Sequence, residues 1–442
     1  MRHLVVISGI LVLLAGGGQA RSATGGHAKA GLTFTASADA YVSAAAPRRN
    51  FGRSKALRIG NRPATRSYLR FQLAKIDAPI TRATLRLFTR SSSRGFEVRA
   101  AGAGWSERSI TFANAPRPGR QITGSGRYRA RTWVSIDVTT LAKGNGPVSL
   151  VLAGADTAFA SRESGAKRPQ LIVQATPPTL IAAGDIADCA IAKDAETAAL
   201  VAKIPGTVAA LGDLAYEYGT LAEFNACYQP TWGAFKARTR PAPGNHEYEH
   251  GTNGAGYFAY WGAVAGNPSQ GWYSYDLGGW HLISLNSNCN FVGGCQTGSA
   301  QETWLRSDLA AHKNQCTAAY WHHPMFSATP FQAEPIMMGP LWQALYDGSA
   351  DLVLVGHSHN YERFAPQTAG GAADPARGIR EFIVGTGGRE FHTTLDPTAN
   401  LEVANASTWG VLRLTLRNSG YDWKFLPIAG QTFTDSGSQA CH

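Results

Sequence analysis

Short apolar runs with alternating or β-branched residues recur through the first 175 residues, and clusters of Gly, Pro and Ser separate them. No stretch in this part repeats its apolar residues with the period of a helix. Evenly spaced short strands of this kind are typical of a β-sandwich. Residues 31–175 are therefore predicted to form an all-β sandwich. The clearest runs are residues 68–73, 83–88, 133–138, 148–152 and 170–173.

The pattern changes after residues 176–178, where two consecutive prolines predict a linker. Beyond it, short apolar strands alternate with amphipathic stretches that predict helices at residues 192–204 and 301–313, and residues 381–425 return to strands. This alternation is typical of an α/β domain with a sheet-rich core. The second part of the chain is therefore predicted to differ in fold from the first.

The charge of the chain divides at the same place. Residues 31–175 carry 24 Lys and Arg against 7 Asp and Glu, a net of +17, whereas residues 176–442 carry 14 against 23, a net of −9. A chain of 442 residues is long enough for two or three domains with separate cores. We expect a basic module over residues 31–175, an acidic domain over residues 179–427 and a C-terminal tail over residues 428–442.

The start of the chain predicts export. Residues 4–14 form an apolar run that is too short to span a bilayer of roughly 30 Å, and residues 18–20 offer small side chains for cleavage. We interpret residues 1–20 as a signal peptide and expect a secreted protein that is not transmembrane. An even number of cysteines in an exported chain predicts disulfides, with Cys289 and Cys295 as the favoured pair and the other pairings open. The six are Cys189, Cys227, Cys289, Cys295, Cys316 and Cys441.

Five apolar runs of the acidic domain lead directly into polar residues. If the runs are strands of one sheet, these side chains meet at its carboxyl edge, where α/β sheets bind ligands. Imidazole and carboxylate together suit metal ions, and the number of candidates suits two ions that share a carboxylate. Glycines before four of these positions would allow the tight turns that aim the side chains. The candidates are Asp185, Asp213, Tyr216, Asn245, His246, His322, His323, His357 and His359.

The order of these motifs is Gly-Asp, Gly-Asp-x-x-Tyr, Gly-Asn-His-Glu, His-x-Pro and Gly-His-x-His, the last of which continues as Asn360-Tyr361-Glu362-Arg363. It resembles the calcineurin-like metallophosphoesterases, and the purple acid phosphatase branch in particular. The resemblance implies a multidomain protein, with a C-terminal α/β metallophosphoesterase sandwich behind the N-terminal all-β sandwich. It implies Fe(III) at one set of ligands and a divalent ion, Zn, Fe or Mn, at a second set that shares one carboxylate. The first set is Asp185, Asp213, Tyr216 and His359, and the second is Asp213, Asn245, His322 and His357.

The same resemblance implies hydrolysis of phosphate monoesters by attack of metal-bound hydroxide, with His246 as the catalytic histidine beside the ligand Asn245. His323 falls on the variable position of His-x-Pro. Plant members of the branch carry further histidines soon after that motif, whereas residues 325–344 contain none, so the group that protonates the leaving group is open. Two alternatives remain: a phosphodiesterase acting on nucleotides, nucleic acid or lipid headgroups, and an inactive wall-binding protein.

The basic module also resembles a known type, the β-sandwich modules of secreted bacterial proteins, some of which bind polysaccharides. Its motifs include residues 39–42, 50–52, 66–71 and 161–163. Because a sandwich exposes alternate side chains, Arg66, Arg70, Arg86 and Arg90 are predicted to share an outward basic face. Such a face would bind an acidic polysaccharide, a wall polymer or extracellular DNA. Two alternatives are that the surplus arginines only solubilise an exported domain and that the module has a sugar site at Trp105.

Overall fold

The computed structural model describes residues 31–191, 193–249, 251–313 and 316–442, so the predicted signal peptide, residues 1–20, lies outside the described residues. The N-terminal module consists of ten strands and two 3-10 turns, Thr139–Leu141 and Arg162–Lys167. The strands are β1 (Leu32–Ser43), β2 (Ala56–Asn61), β3 (Ala64–Leu73), β4 (Ile80–Phe88), β5 (Phe96–Ala100), β6 (Gln121–Gly124), β7 (Trp133–Asp137), β8 (Gly146–Gly154), β9 (Thr157–Ala160) and β10 (Gln170–Ala175).

The long strand β1 belongs to both sheets of this module. Its first residues pair with β10, and after a bulge between Ala36 and Ala38 the strand pairs with β3. One sheet therefore runs β7-β4-β10-β1 and the other β1-β3-β8-β5-β6, and β2 and β9 form a ribbon at the side. Alternate residues such as Leu69, Phe71 and Leu85 are fully buried between the sheets. The predicted β-sandwich is confirmed.

The described residues of the C-terminal domain form thirteen further strands and five helices. The strands are β11 (Thr179–Ala183), β12 (Thr207–Leu211), β13 (Thr239–Ala242), β14 (Tyr273–Leu277), β15 (Trp280–Ser284), β16 (Cys316–Tyr320), β17 (Leu352–Val355), β18 (Tyr361–Phe364), β19 (Arg380–Val384), β20 (Leu401–Asn405), β21 (Gly410–Arg417), β22 (Gly420–Pro427) and β23 (Ser436–Ala440). The helices are α1 (Lys193–Val201), α2 (Leu221–Glu223), α3 (Ala255–Trp261), α4 (Ala300–Ala311) and α5 (Pro335–Asp347). Short 3-10 or π turns cover Phe224–Tyr228, Trp232–Arg238, Gly262–Ala265 and Cys289–Phe291.

These strands form two sheets, in the orders β13-β12-β11-β21-β22-β23 and β14-β15-β16-β17-β19-β18-β20. The expectation that the motif-bearing strands share one sheet is wrong, since β11 to β13 lie in the first sheet and β16 and β17 in the second. Each sheet nevertheless has a parallel core, and side chains from both meet in one hydrophobic cluster that includes Leu180, Leu211 and Leu352. The carboxyl ends of two packed sheets therefore supply the polar residues.

Within residues 428–442, predicted as a C-terminal tail, residues 436–440 form the edge strand of the first sheet. Strand β23 pairs with β22, and a disulfide joins Cys441 to Cys316 at the start of β16. The other disulfides are the predicted Cys289–Cys295 pair and Cys189–Cys227. Every helix within the described ranges is too short or too polar to cross a membrane.

Candidate metal centre

The polar residues occupy sharp turns at the carboxyl ends of the strands. Asp185, Asp213 and His357 all have left-handed backbone conformations, with φ of 58°, 49° and 68°. We expected the preceding glycines to supply this freedom, but Gly212 alone of the four has a left-handed φ. Gly244 is required by space instead, because a Cβ there would lie 2.1 Å from Oδ1 of Asp213. The strained backbone conformations are therefore adopted mainly by the candidate ligands Asp185, Asp213 and His357 themselves.

One group of side chains gathers around Oη of Tyr216. This oxygen lies 3.0 Å from Oδ1 of Asp185, 3.2 Å from Oδ2 of Asp213 and 3.3 Å from Nε2 of His359. The carboxylate and imidazole ligand atoms lie within 4.8 Å of one another. All four residues are buried, with His359 the most exposed at 9%. A phenol, two carboxylates and an imidazole thus converge on a space that fits one ion.

A second group shares Asp213 with the first. Nε2 of His322 lies 3.1 Å from Oδ2 of Asp213 and 3.0 Å from Oδ1 of Asn245. The ligand atoms of Asp213, His322 and His357 lie within 4.8 Å of one another. The two groups have the same members as the two ligand sets predicted from the sequence, and Asp213 is the carboxylate they have in common.

Electrostatics couples the two groups. Burial alone would raise the pKa of Asp213, but the charge and hydrogen bond of His322 hold it well below its usual range. Burial lowers the pKa of His322, and Asp213 more than reverses this and raises it to about 9. Burial and the charges of Asp185 and Asp213 raise the pKa of Tyr216 well above its usual range. The buried negative charge therefore needs cations, which His322 supplies only in part.

His322 and His359 are oriented as metal-ligating histidines usually are. Nδ1 of His322 donates to the carbonyl of Leu211 at 2.9 Å, and Nδ1 of His359 donates to the carbonyl of Glu390 at 2.9 Å. These bonds hold a proton on Nδ1, so each Nε2, which faces the carboxylates, is the nitrogen that would bind an ion, as is usual for ligating histidines. The donor set fits two metal ions.

His246 lies beside the first group. Its ring is 4.6 Å from that of Tyr216, and its Nε2 is 3.8 Å from Oδ2 of Asp213. Its Nδ1 donates to the carbonyl of Glu217 at 2.6 Å. Burial lowers the pKa of His246, but Asp213 and the Glu217 carbonyl raise it overall. The partly exposed ring can therefore hold a proton on Nε2 at the edge of the centre.

Glu247 supports the centre from below. Its buried carboxylate accepts backbone N–H groups from Asp213 at 3.0 Å, Leu214 at 2.7 Å, Ala215 at 3.3 Å and Gly244 at 2.7 Å. Burial and the charge of Asp213 raise the pKa of Glu247 to about 7, against the opposing effect of these N–H groups. The side chain links the turn that carries Asp213 to the turn that carries Asn245.

A sixth segment, residues 385–392 after β19, reaches the centre without having been identified in the sequence. Its Glu390 carbonyl holds His359, and the guanidinium of Arg389 lies 4.4 Å from the ring centre of Tyr216. His392 stacks on His359 with ring centres 4.0 Å apart and nearly parallel. The three glycines of this segment were the available signal, since a Cβ on Gly385 would lie 2.8 Å from Oδ2 of Asp185.

The residues that continue the last motif brace it from outside. Tyr361 and Arg363 both donate to Oδ2 of Asp435 at 2.7 Å, which ties them to the C-terminal segment. Glu362 accepts the backbone N–H of Ala328 at 2.7 Å. The loop after His-His-Pro is thereby fixed to the Gly-His-x-His motif.

A second cluster of histidine and carboxylate lies away from this centre. His281 contacts Asp276 at 3.0 Å and Asp308 at 2.7 Å, and its ring stacks on His312 with centres 3.8 Å apart and planes 11° apart. Because ligand lone pairs lie in the ring plane, two parallel stacked rings cannot both aim at one ion. Burial lowers the pKa of His281, but Asp308 and Asp276 raise it overall, as expected for an ion-paired imidazolium.

The predicted basic face of the N-terminal module is not formed as expected. Arg70 donates to two backbone carbonyls, while Arg66 and Arg86 lie over aromatic rings at 5.4 and 4.8 Å. Trp105, the alternative sugar site, is only 7% exposed and donates to Ser149 at 3.0 Å. The loop of residues 101–116 packs on the outer face of β3, whereas Arg86 lies on β4 in the other sheet. Arg66, Arg70 and Arg86 therefore contact the module itself, and the four arginines do not form one outward face.

Basic side chains instead line a cleft of about 640 Å³ beside the β2–β9 ribbon. Nζ of Lys167 lies 4.5 Å from the ring centre of Phe88, and Glu163 is the acidic residue of the lining. Four cations against one carboxylate leave the cleft positively charged. The cations are Lys55, Arg90, Arg131 and Lys167.

Comparison with known families gives two matches. Residues 30–175 match carbohydrate-binding module family 96, and residues 167–361 match the calcineurin-like phosphoesterase family. Over 195 residues the chain is 29% identical to purple acid phosphatase 23 of Arabidopsis thaliana, covering 36% of this chain and 42% of that one. Over 214 residues it is 30% identical to purple acid phosphatase 21 of the same plant, covering 43% and 48%. The chain thus spans less than half the length of these curated relatives.

Among solved structures, a purple acid phosphatase from yellow lupin (Lupinus luteus) seeds aligns over 85% of this chain and 72% of its own, at 15% identity and a TM-score of 0.49. A dimetal phosphatase from Danio rerio aligns over 60% of this chain and 100% of its own, at 12% identity and a TM-score of 0.42.

Proposed function

Because residues 167–361 belong to the calcineurin-like phosphoesterase family and residues 30–175 to carbohydrate-binding module family 96, we propose that the protein is a secreted phosphatase of the purple acid type. The observation that carries the proposal is the pair of ligand groups that share Asp213, one of which includes Tyr216. The relatives' names point the same way, since they include several purple acid phosphatases.

The two groups differ in the ion they suit. Phenol and carboxylate oxygens around Tyr216 favour a hard trivalent ion, Fe(III). Amide and imidazole around His322 favour a divalent ion such as Zn, Fe or Mn. When bound, such a pair would lower the pKa of water and hold the phosphoryl oxygens during in-line attack.

The side chains of the chain then have separate tasks. Asp213 would hold both ions at a fixed separation, and Glu247 would keep its turn in place. His246, anchored through Nδ1 at the Glu217 carbonyl, would donate its Nε2 proton toward the phosphoryl group or the leaving oxygen. Because hydrogen bonds hold these side chains in place before the reaction, they would stabilise the transition state without having to reorient.

Purified protein tests this proposal directly. Hydrolysis of p-nitrophenyl phosphate well above bis-p-nitrophenyl phosphate, together with two metal ions per chain, is the expected result. Preference for the diester would favour the phosphodiesterase alternative, and failure to hydrolyse either ester while holding two ions would favour an inactive protein.

We also propose that the basic cleft of the N-terminal module docks the enzyme on an acidic polysaccharide. Arginine and lysine around a cleft suit carboxylate and sulfate groups, and such binding weakens with salt. The full chain should bind polygalacturonate more tightly than a neutral glucan. Its affinity for polygalacturonate should fall as the salt concentration rises. Replacing Arg131 and Lys167 together by Gln should weaken binding, whereas Arg48→Gln, exposed and outside the cleft lining, serves as the control. Equal, salt-independent binding to both polymers would contradict the proposal.

A further inference from the structure

His323, the second histidine of His-His-Pro, lies inside the candidate metal centre although the sequence placed it on a variable position. Its ring centre is 4.6 Å from that of His357 and 5.1 Å from that of His322. The residue is only 8% exposed. A buried imidazole at this distance from two predicted ligands is costly unless its nitrogens have partners.

Ser287 fixes the tautomer of this ring. Oγ of Ser287 accepts the backbone N–H of His323 at 3.2 Å and lies 2.7 Å from its Nδ1. Because Oγ already accepts the backbone N–H, the hydroxyl proton of Ser287 finds an acceptor, within the described part of the chain, only at Nδ1, so the ring hydrogen sits on Nε2. Trp321 donates to the carbonyl of His323 at 2.7 Å and holds the backbone in place. Among the described residues, no hydrogen-bond partner is found for Nε2 of His323.

The other unassigned histidine at the centre is not equivalent. Nδ1 of His392 accepts the backbone N–H of His359 at 3.3 Å, and its ring is stacked on that ligand. His392 therefore packs the centre from one side. His323 lies next to His322 and His357, whereas His246 lies next to Tyr216.

We propose that Nε2–H of His323 donates a hydrogen bond to a phosphoryl oxygen of the bound ester, on the side of the ion held by Asn245, His322 and His357. This assignment rests on the proposed phosphatase function. A fixed donor aimed at oxygens that gain charge in the transition state lowers the barrier, because no reorganisation is needed when the charge develops. Ser287 is then a positioning residue that acts through the ring.

The test uses the full metal-loaded chain and the variants His323→Ala, His323→Gln and Ser287→Ala, with His312→Ala as a matched control from the stacked pair outside the centre. Metal content is measured first. Calorimetry then gives Kd for orthophosphate and for orthovanadate, whose five-coordinate form mimics the transition state, and steady-state kinetics gives kcat and KM.

His323→Ala should keep both ions and lose about 10- to 100-fold in vanadate affinity, the range for one hydrogen bond to a charged group. Phosphate affinity should fall less, and kcat/KM should fall in parallel with vanadate affinity. His323→Gln, which keeps an N–H donor, should recover part of the loss. Ser287→Ala should lose about 3- to 10-fold, because the ring stays but its tautomer is no longer fixed.

Two results would overturn the assignment. Vanadate affinity of His323→Ala equal to that of the wild type would show that the ring does not touch the anion. Loss of a metal ion from that variant would show that His323 supports the centre rather than the substrate. If the wild type binds vanadate but cleaves no ester, the proposed function fails, and the Kd comparison still decides the role of His323.

Discussion

Replacement of Glu247 by Gln should loosen the centre without touching a predicted ligand. Each carboxylate oxygen of Glu247 accepts two backbone N–H groups, and the side chain is fully buried. An amide keeps one acceptor oxygen and puts an NH₂ group against the other pair of donors. Two buried N–H groups then lack an acceptor, at about 1–3 kcal/mol each, so the variant should lose about 2–6 kcal/mol of unfolding free energy.

The same change should weaken metal binding. The four N–H groups belong to the turns that carry Asp213 and Asn245, so these turns lose their common anchor. Loss of such a support typically costs about 10- to 100-fold in metal affinity. Thermal unfolding of the metal-free protein measures the first effect, and titration with a competing chelator followed by metal analysis measures the second.

Glu196→Gln is the matched control, because this glutamate is exposed and its ion pair with Lys193 lies on the surface of α1. A surface pair of this kind contributes at most about 1 kcal/mol, so the control should unfold and bind metal nearly as the wild type does. If Glu247→Gln also matches the wild type in both assays, the N–H groups have other acceptors and the reasoning fails.

Further predictions concern the ligands and the distant histidine cluster. Tyr216→Phe should abolish the visible charge-transfer colour of the iron-loaded protein while its circular dichroism stays unchanged; a colourless, metal-replete wild type would refute the ferric assignment. Asp213→Ala and Asn245→Ala should each cut turnover by at least about 100-fold, with Asp213→Ala worse because both groups share this carboxylate. His281→Gln should lower the unfolding temperature at pH 5.5 but not at pH 9. The pKa of His281 is higher in the folded protein than in the unfolded chain, where it is about 6.5. The charged imidazole therefore stabilises the fold below about pH 6.5, and this contribution is lost as the pH rises above the pKa in the folded protein. Equal losses at both pH values would refute the ion-pair interpretation.

The motifs at the strand ends could be predicted from the sequence because each is formed by residues that are neighbours in the chain. An apolar run followed at once by Gly-Asp or Gly-His marks both a strand and the turn that ends it, as at Asp185 and His357. The assignment of those strands to two different sheets could not be predicted from the sequence. Pairing of β11 with the distant β21 depends on contacts between residues more than 200 positions apart, and a short buried strand carries no mark of its neighbour.

Long-range partners also explain the residues that the sequence analysis missed. Arg389 and His392 belong to no motif, and they reach the centre only because β19 lies next to β17. In the N-terminal module, alternation correctly predicted which face of β3 points outward. It could not predict that the loop of residues 101–116 folds over that face and covers Arg70, so a surface position became a packing position.

The strained turns give the centre a rigidity that single contacts would not. Left-handed backbone at a non-glycine residue costs about 1–3 kcal/mol, and Asp185, Asp213 and His357 each adopt it. Each strained turn is held by another: the N–H of Asp185 donates to the carbonyl of Gly212 at 3.0 Å, and the N–H of His357 donates to Oδ2 of Asp185 at 3.0 Å. Glycine would relax the strain but would remove the very side chains that face the ions. Because the three turns hold one another, the ligands are in place before the ions bind, so less of the free energy of metal binding is lost in ordering the site.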